Sequence, residues 1–103
     1  MFTGSENHDI GMEEAAALTA RYRARMQANE KQGGFFGRDA IEAILAQARC
    51  VGIRYYYGLD SENQRVLVLV GVDENENDLI QGDLAQAALP CPPRCSENNS
   101  LNS

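Results

Sequence analysis

The chain has 103 residues and a mass of 11.3 kDa, 44% of them hydrophobic and 23% charged. This is the composition of one ordinary globular domain with a modest core. Fifteen acidic against nine basic side chains leave a net charge of −6, which speaks against a general binder of nucleic-acid phosphates. No apolar run approaches the roughly 20 residues of a membrane span, and a single His with no Trp leaves few parts for a catalytic site.

Residues 1–10 read as a polar N-terminal arm, residues 11–89 as a single α+β domain, and residues 90–103 as an extended Cys/Pro-rich tail. The arm has neither a basic n-region nor an apolar h-region. Three cysteines, Cys50, Cys91 and Cys95, do not make the dense, even pattern of a secreted scaffold. The expectation is a cytoplasmic protein with mostly reduced thiols.

From Met12 the pattern turns helical. Met12, Ala15, Leu18, Tyr22 and Met26 recur at spacings of three and four and make one apolar stripe. Glu13 and Glu14 suit the first turn and Lys31 the last, and Gly33-Gly34 is read as the stop. Asp39 is then the expected N-cap of a second helix over about 39–49, with Glu42 three residues on in a capping-box relation. Its buried stripe is Ile41, Ile44, Leu45 and Ala48.

At Val51 the period changes to two. Val51, Ile53, Tyr55, Tyr57 and Leu59 alternate with Gly52, Arg54, Tyr56 and Gly58, the pattern of a strand with one apolar face. Tyr55 and Tyr57 are read as inward and Tyr56 as outward. After the polar turn Asp60–Gln64, the unbroken run Val66–Val72 suits a strand covered on both faces. An antiparallel hairpin is the natural pairing. A second polar turn, Asp73–Asp78, leads to Leu79-Ile80, where a short third strand fits. A short helix from Leu84 to Leu89, capped by Asp83 and ended by Pro90, completes the domain. The two helices can cover one face of such a sheet, and the second strand calls for cover on both. The missing cover must come from the tail, the last helix or another subunit.

Phe36–Leu45, Gly52–Tyr56, Val70-Gly71-Val72-Asp73, Asn77-Asp78-Leu79 and the ending Pro90-Cys91-Pro92-Pro93-Arg94-Cys95 together resemble a family of short uncharacterised bacterial proteins with a Pro-Cys-Pro-Pro-x-Cys tail. The resemblance covers about residues 35–95, and the tail is its most specific part. It implies a protein type and no chemistry. In that family the turn before Asn77 often holds Gly where this chain has Glu76.

Each candidate site has a plainer reading beside it. Cys91 and Cys95 are metal candidates with an incomplete ligand set, since structural zinc takes four ligands and Cys50 and His8 are distant. In polyproline II geometry the pair would span about 12 Å, too far for one ion or a disulfide unless the chain turns at Pro92-Pro93. Thioredoxin-type chemistry lacks its two-residue spacing and helix N-terminus here. The favoured reading is a stiff tail whose thiols pack as small apolar groups. Asp73-x-Asn75-x-Asn77 copies the start of a calcium loop but has Asp78 where Gly belongs and Leu84 where Glu belongs. A solvated turn is the simpler reading. His8 has no partner pattern that would make it a base.

The remaining features point to association. Arg21 and Arg25 share a face of the first helix. Residues 1–50 carry a net charge of −1 and residues 51–103 a net of −5, so the arginines of one copy can meet the acidic turns of another. The sequence therefore suggests a non-enzymatic interaction protein, without cofactor, that self-assembles into a homo-oligomer or filament. Its contact residues would be Arg21, Arg25, Tyr56, Pro90, Cys91, Pro92, Pro93, Cys95 and Leu101, with the tail docking on a neighbour. The alternatives are a small acidic inhibitor-type module for another protein, a metal or redox protein using Cys91 and Cys95, and a precursor peptide with a modified C-terminal core.

Overall fold

A computed structural model describes residues 1–86 and 89–103. Its elements are α1 (Met12–Arg25), β1 (Gly33–Phe35), α2 (Arg38–Leu45), β2 (Gly52–Leu59), β3 (Arg65–Val72), β4 (Leu84–Ala85) and β5 (Leu89–Cys91). They gather into two compact units. One comprises Met1–Glu6 with Phe36–Ala88, and the other Asn7–Phe35 with Leu89–Ser103.

In the first unit the three-stranded antiparallel sheet has the order β2-β3-β4. β2 and β3 form a hairpin whose register runs from Gly52 opposite Val72 to Leu59 opposite Arg65. The turn between them is capped by Asp60, whose Oδ1 accepts from the amides of Glu62 and Gln64 at 2.8 and 2.9 Å. Asn63 takes the left-handed φ of 62° that this turn requires. α2 packs on one face of the sheet above Gly71. A Cβ at Gly71 would stand 3.3 Å from Ile44 Cγ2 and 3.0 Å from Cys50 Sγ, so only glycine lets the helix approach this closely. Among the described residues the buried apolar ones are Ile44, Leu69, Val70 and Val72, all in this unit.

In the second unit β1 and β5 pair antiparallel, Gly33 opposite Cys91 and Phe35 opposite Leu89. α1 belongs to the same unit and buries no residue. Among the described residues no helix is long and apolar enough to cross a membrane.

The expected α+β arrangement needs correction at several points. The first helix ends at Arg25, with Met26 already extended, and Gly33-Gly34 forms strand β1 instead of a helix stop. Its apolar stripe is open, with Met12 60% and Leu18 50% exposed. α2 is capped by Gly37 instead of Asp39 and ends at Leu45. The third strand of the sheet is Leu84–Ala85 instead of Leu79-Ile80, although Val72 and Asp78 form an isolated bridge. The expected helix Leu84–Leu89 is replaced by β4 and the start of β5. Its residues 87 and 88 lie outside the described residues. The tail is folded back instead of extended: Cys91 and Cys95 form a disulfide with Cα atoms 4.8 Å apart. The unexpected strands β1, β4 and β5 share one cause. Short strands far apart in sequence gain backbone hydrogen bonds from pairing that local propensity does not anticipate.

Candidate functional site

β2 is the edge of its sheet, and among the described residues no strand pairs its outer side. In an antiparallel pair every second residue turns its N–H and C=O away from the partner, so four of the eight residues of β2 present backbone groups to the open edge. The side chains add to this. By the hairpin register, Ile53, Tyr55, Tyr57 and Leu59 share the face of Gly71 and Leu69. α2, about 12 Å long, covers only the Gly71 end. Leu69 is 8% exposed, whereas Tyr55, Tyr57 and Leu59 are 56%, 67% and 69% exposed. The expected inward Tyr55 and Tyr57 are therefore surface residues.

The two rings meet edge to face with centroids 5.6 Å apart, a favoured aromatic geometry. The hydrogen bond of Tyr55 with the Tyr57 side chain raises the Tyr55 phenol above its ordinary value. The Arg65 guanidinium sits 5.3 Å from the Tyr57 centroid, within cation–π range. The result is a stiffened strip of aromatic and aliphatic surface along a free strand edge.

On the opposite face, Arg54, Tyr56 and Asp78 form a polar cluster. Arg54 Nη1 donates to Asp78 Oδ1 at 2.6 Å, and the Tyr56 hydroxyl donates to Oδ2 at 2.6 Å. Arg54 Nη2 also donates to the Glu76 carbonyl at 3.2 Å. The hydrogen bond to Asp78 holds the Arg54 guanidinium above its ordinary pKa. Tyr56 is thus outward-facing with its hydroxyl engaged, and Asp78 ties β2 to the turn after β3.

The tail candidates occupy the second unit. Pro90 and Cys91 lie in β5, and Pro92, Pro93 and Cys95 are exposed. The amide of Arg94 donates to the Pro90 carbonyl at 2.8 Å and closes the turn. Both thiols of the proposed metal pair are committed to the disulfide, and among the described residues no group of three or more His, Cys, Asp or Glu can hold a metal. Gln32 is the residue that sequence reasoning missed. Its amide donates to the Cys91 carbonyl at 2.7 Å, and its Nε2 lies 3.3 Å from Cys91 Sγ and 3.6 Å from Cys95 Sγ. No local pattern marks a glutamine before a Gly-Gly as the partner of a cysteine 59 positions away. Arg21 and Arg25 are exposed on α1. It is Arg23, not either of them, that reaches the C-terminal segment, donating to the Leu101 carbonyl.

Comparison with protein-family models, with curated proteins and with solved structures found no match.

Proposed function

We propose that this chain is a non-enzymatic interaction protein that self-associates through the outer edge of β2, a second copy pairing antiparallel with it. The observation that carries the reading is the long free edge of β2 with Tyr55, Tyr57 and Leu59 exposed beside it. Such an edge is a template for strand addition unless it is blunted by charge, proline or a bulge. β2 has no proline and one charged residue, Arg54.

Self-pairing is favoured over a foreign strand by the symmetry of the strand itself. Ile53-Arg54-Tyr55-Tyr56-Tyr57-Gly58-Leu59 is nearly palindromic in residue type about Tyr56. A two-fold axis there sets Ile53 against Leu59 of the second copy and Tyr55 against Tyr57. It sets Arg54 against Gly58 and so keeps the two arginines apart. Aromatic cross-strand pairs of this kind stabilise sheets by about 0.2–1 kcal/mol each. Charge agrees with this. The strands of the hairpin contain Arg54 and Arg65 and no carboxylate, although each copy carries −6. The contact thus avoids the acidic turns that would repel. An isologous contact of this kind closes as a dimer.

The cytoplasmic setting expected from the sequence belongs to the same proposal. There a bond such as Cys91–Cys95 is reversible rather than a permanent staple.

Sedimentation of the untagged chain tests the reading. The expected mass is twice the 11.3 kDa of one chain, and Tyr57→Lys, which places a charge beside the free edge, should give a folded monomer. A wild-type monomer at every concentration would overturn self-association. A Tyr57→Lys variant that dimerises like the wild type would remove the contact from β2.

A further inference from the structure

We propose that the Cys91–Cys95 bond is a reversible thiol-exchange site, at which the thiolate of a low-molecular-weight thiol attacks Cys95 Sγ and Cys91 departs toward the carboxamide of Gln32. Three observations in the second unit carry this, and none of them depends on the β2 edge.

The first is access. Cys95 is exposed and Cys91 is half-buried in β5. Exchange requires the incoming sulfur to approach one sulfur of the disulfide and displace the other. The exposed Cys95 is the one within reach. Arg94 directly precedes it, and a neighbouring cation attracts an incoming thiolate.

The second is the leaving group. Gln32 Nε2 stands 3.3 Å from Cys91 Sγ. A neutral disulfide sulfur is a poor acceptor, but a thiolate is a charged one, and hydrogen bonds to charged acceptors are about twice as strong as neutral ones. The contact therefore strengthens as the S–S bond breaks. Nε2 also lies 3.6 Å from Cys95 Sγ, and it is the shorter contact to Cys91 together with the exposure of Cys95 to attack that makes Cys91 the departing sulfur. Gln32 is itself held in place, because its backbone amide donates to the Cys91 carbonyl at 2.7 Å.

The third is re-closure. Cys91 is fixed in β5 opposite Gly33, and the Arg94-to-Pro90 hydrogen bond of 2.8 Å holds the loop that returns Cys95. The released thiolate stays beside the mixed disulfide and regains the bond at high effective concentration. The step is balanced. The incoming thiolate and Cys95 form one S–S bond as the Cys95–Cys91 bond breaks, and the electron pair leaves with Cys91 sulfur. One disulfide and one thiolate enter, and one of each leave.

The native chain is incubated with glutathione, quenched with acid, alkylated and mapped by tandem mass spectrometry, which also separates the free Cys50 from the pair. The expected result is glutathione on Cys95 and alkylation of Cys91. Gln32→Leu should slow adduct formation about tenfold, which corresponds to ~1.4 kcal/mol of charge-assisted hydrogen bonding in the transition state. Gln32→Glu has nearly the same size but opposes a departing thiolate. It should slow exchange at least as much at neutral pH, whereas a residue that only packs would tolerate it. Adduct on Cys91, no adduct, or a rate indifferent to both Gln32 substitutions would overturn the proposal.

Discussion

Arg49 Nη2 donates to Asp73 Oδ2 at 2.8 Å, and the two partners lie in different surroundings: Asp73 is 3% exposed, while the Arg49 side chain is 69% exposed. The other oxygen of Asp73 accepts from the amides of Asn75 and Asn77 at 2.9 and 3.0 Å. The Asp-x-Asn-x-Asn spacing that imitates a calcium loop is here a backbone cap. Both carboxylate oxygens are engaged by donors of the chain itself.

Asp73→Ala leaves two turn amides without their acceptor and should destabilise the protein by about 2–4 kcal/mol. Arg49→Ala removes only the exposed partner, and its cost should stay under about 1 kcal/mol. Urea denaturation of both variants checks this. Equal losses would mean that the ion pair, and not the turn cap, carries the stability.

Glu76 sits at φ 70°, a left-handed conformation that disfavours side chains by about 1–2 kcal/mol. Glycine removes that cost but is freer in the unfolded chain by about 0.5–1 kcal/mol. The carboxylate of Glu76 meets the Met1 amino group at 3.5 Å with both groups exposed, so little is lost with it. Glu76→Gly should therefore raise stability by about 0.5–1 kcal/mol, read as an increase in melting temperature. A lower melting temperature would contradict the left-handed turn.

Gly71→Ala places a methyl group 2.8 Å from Gln47 Nε2 and 3.0 Å from Cys50 Sγ. Gln47 cannot move away without loss. Its Nε2 donates to the Ile44 carbonyl at 2.8 Å, and its Oε1 accepts from the Asp83 amide at 3.0 Å. The overpacking should cost about 1–3 kcal/mol. Gly33→Ala, with nothing within 4 Å of the new Cβ, should lie within about 0.5 kcal/mol of wild type. Thermal melts of the two variants side by side make the comparison.

The Glu6 carboxylate accepts from the Thr3 amide at 2.8 Å, from Thr3 Oγ1 at 3.3 Å and from the Gly4 amide at 3.0 Å. These bonds, the Thr3 amide first, hold its pKa below the ordinary value of 4.5. A depressed folded value means the stabilisation is present above pH 4.5 and fades as the pH falls through the lowered value. The amides of Thr3 and Gly4 should shift in NMR spectra over that acidic window, and Glu6→Gln should abolish the shift. A titration centred at or above 4.5 would contradict the capping role.

What could be read from the residues alone was local. The change from helical spacing to alternation at Val51 placed α2 and the β2–β3 hairpin to within a few residues, because periodicity reflects which side chains share a face. The same pattern misjudged exposure. Met12 and Leu18 lie on a stripe, and Tyr55 and Tyr57 on an apolar face, yet all four are exposed. Spacing says which residues would be covered together, and only the assembled fold decides whether a covering element exists. The pairing of Gly33 with Cys91, the Gln32 contacts to both sulfurs and the disulfide itself were also decided by the tertiary structure. Glycine and proline argue against strands, three-residue strands show no alternation, and the contacts join positions nearly 60 residues apart. Such bonds form because a folded chain brings unpaired backbone groups together, and a local pattern carries no record of that meeting.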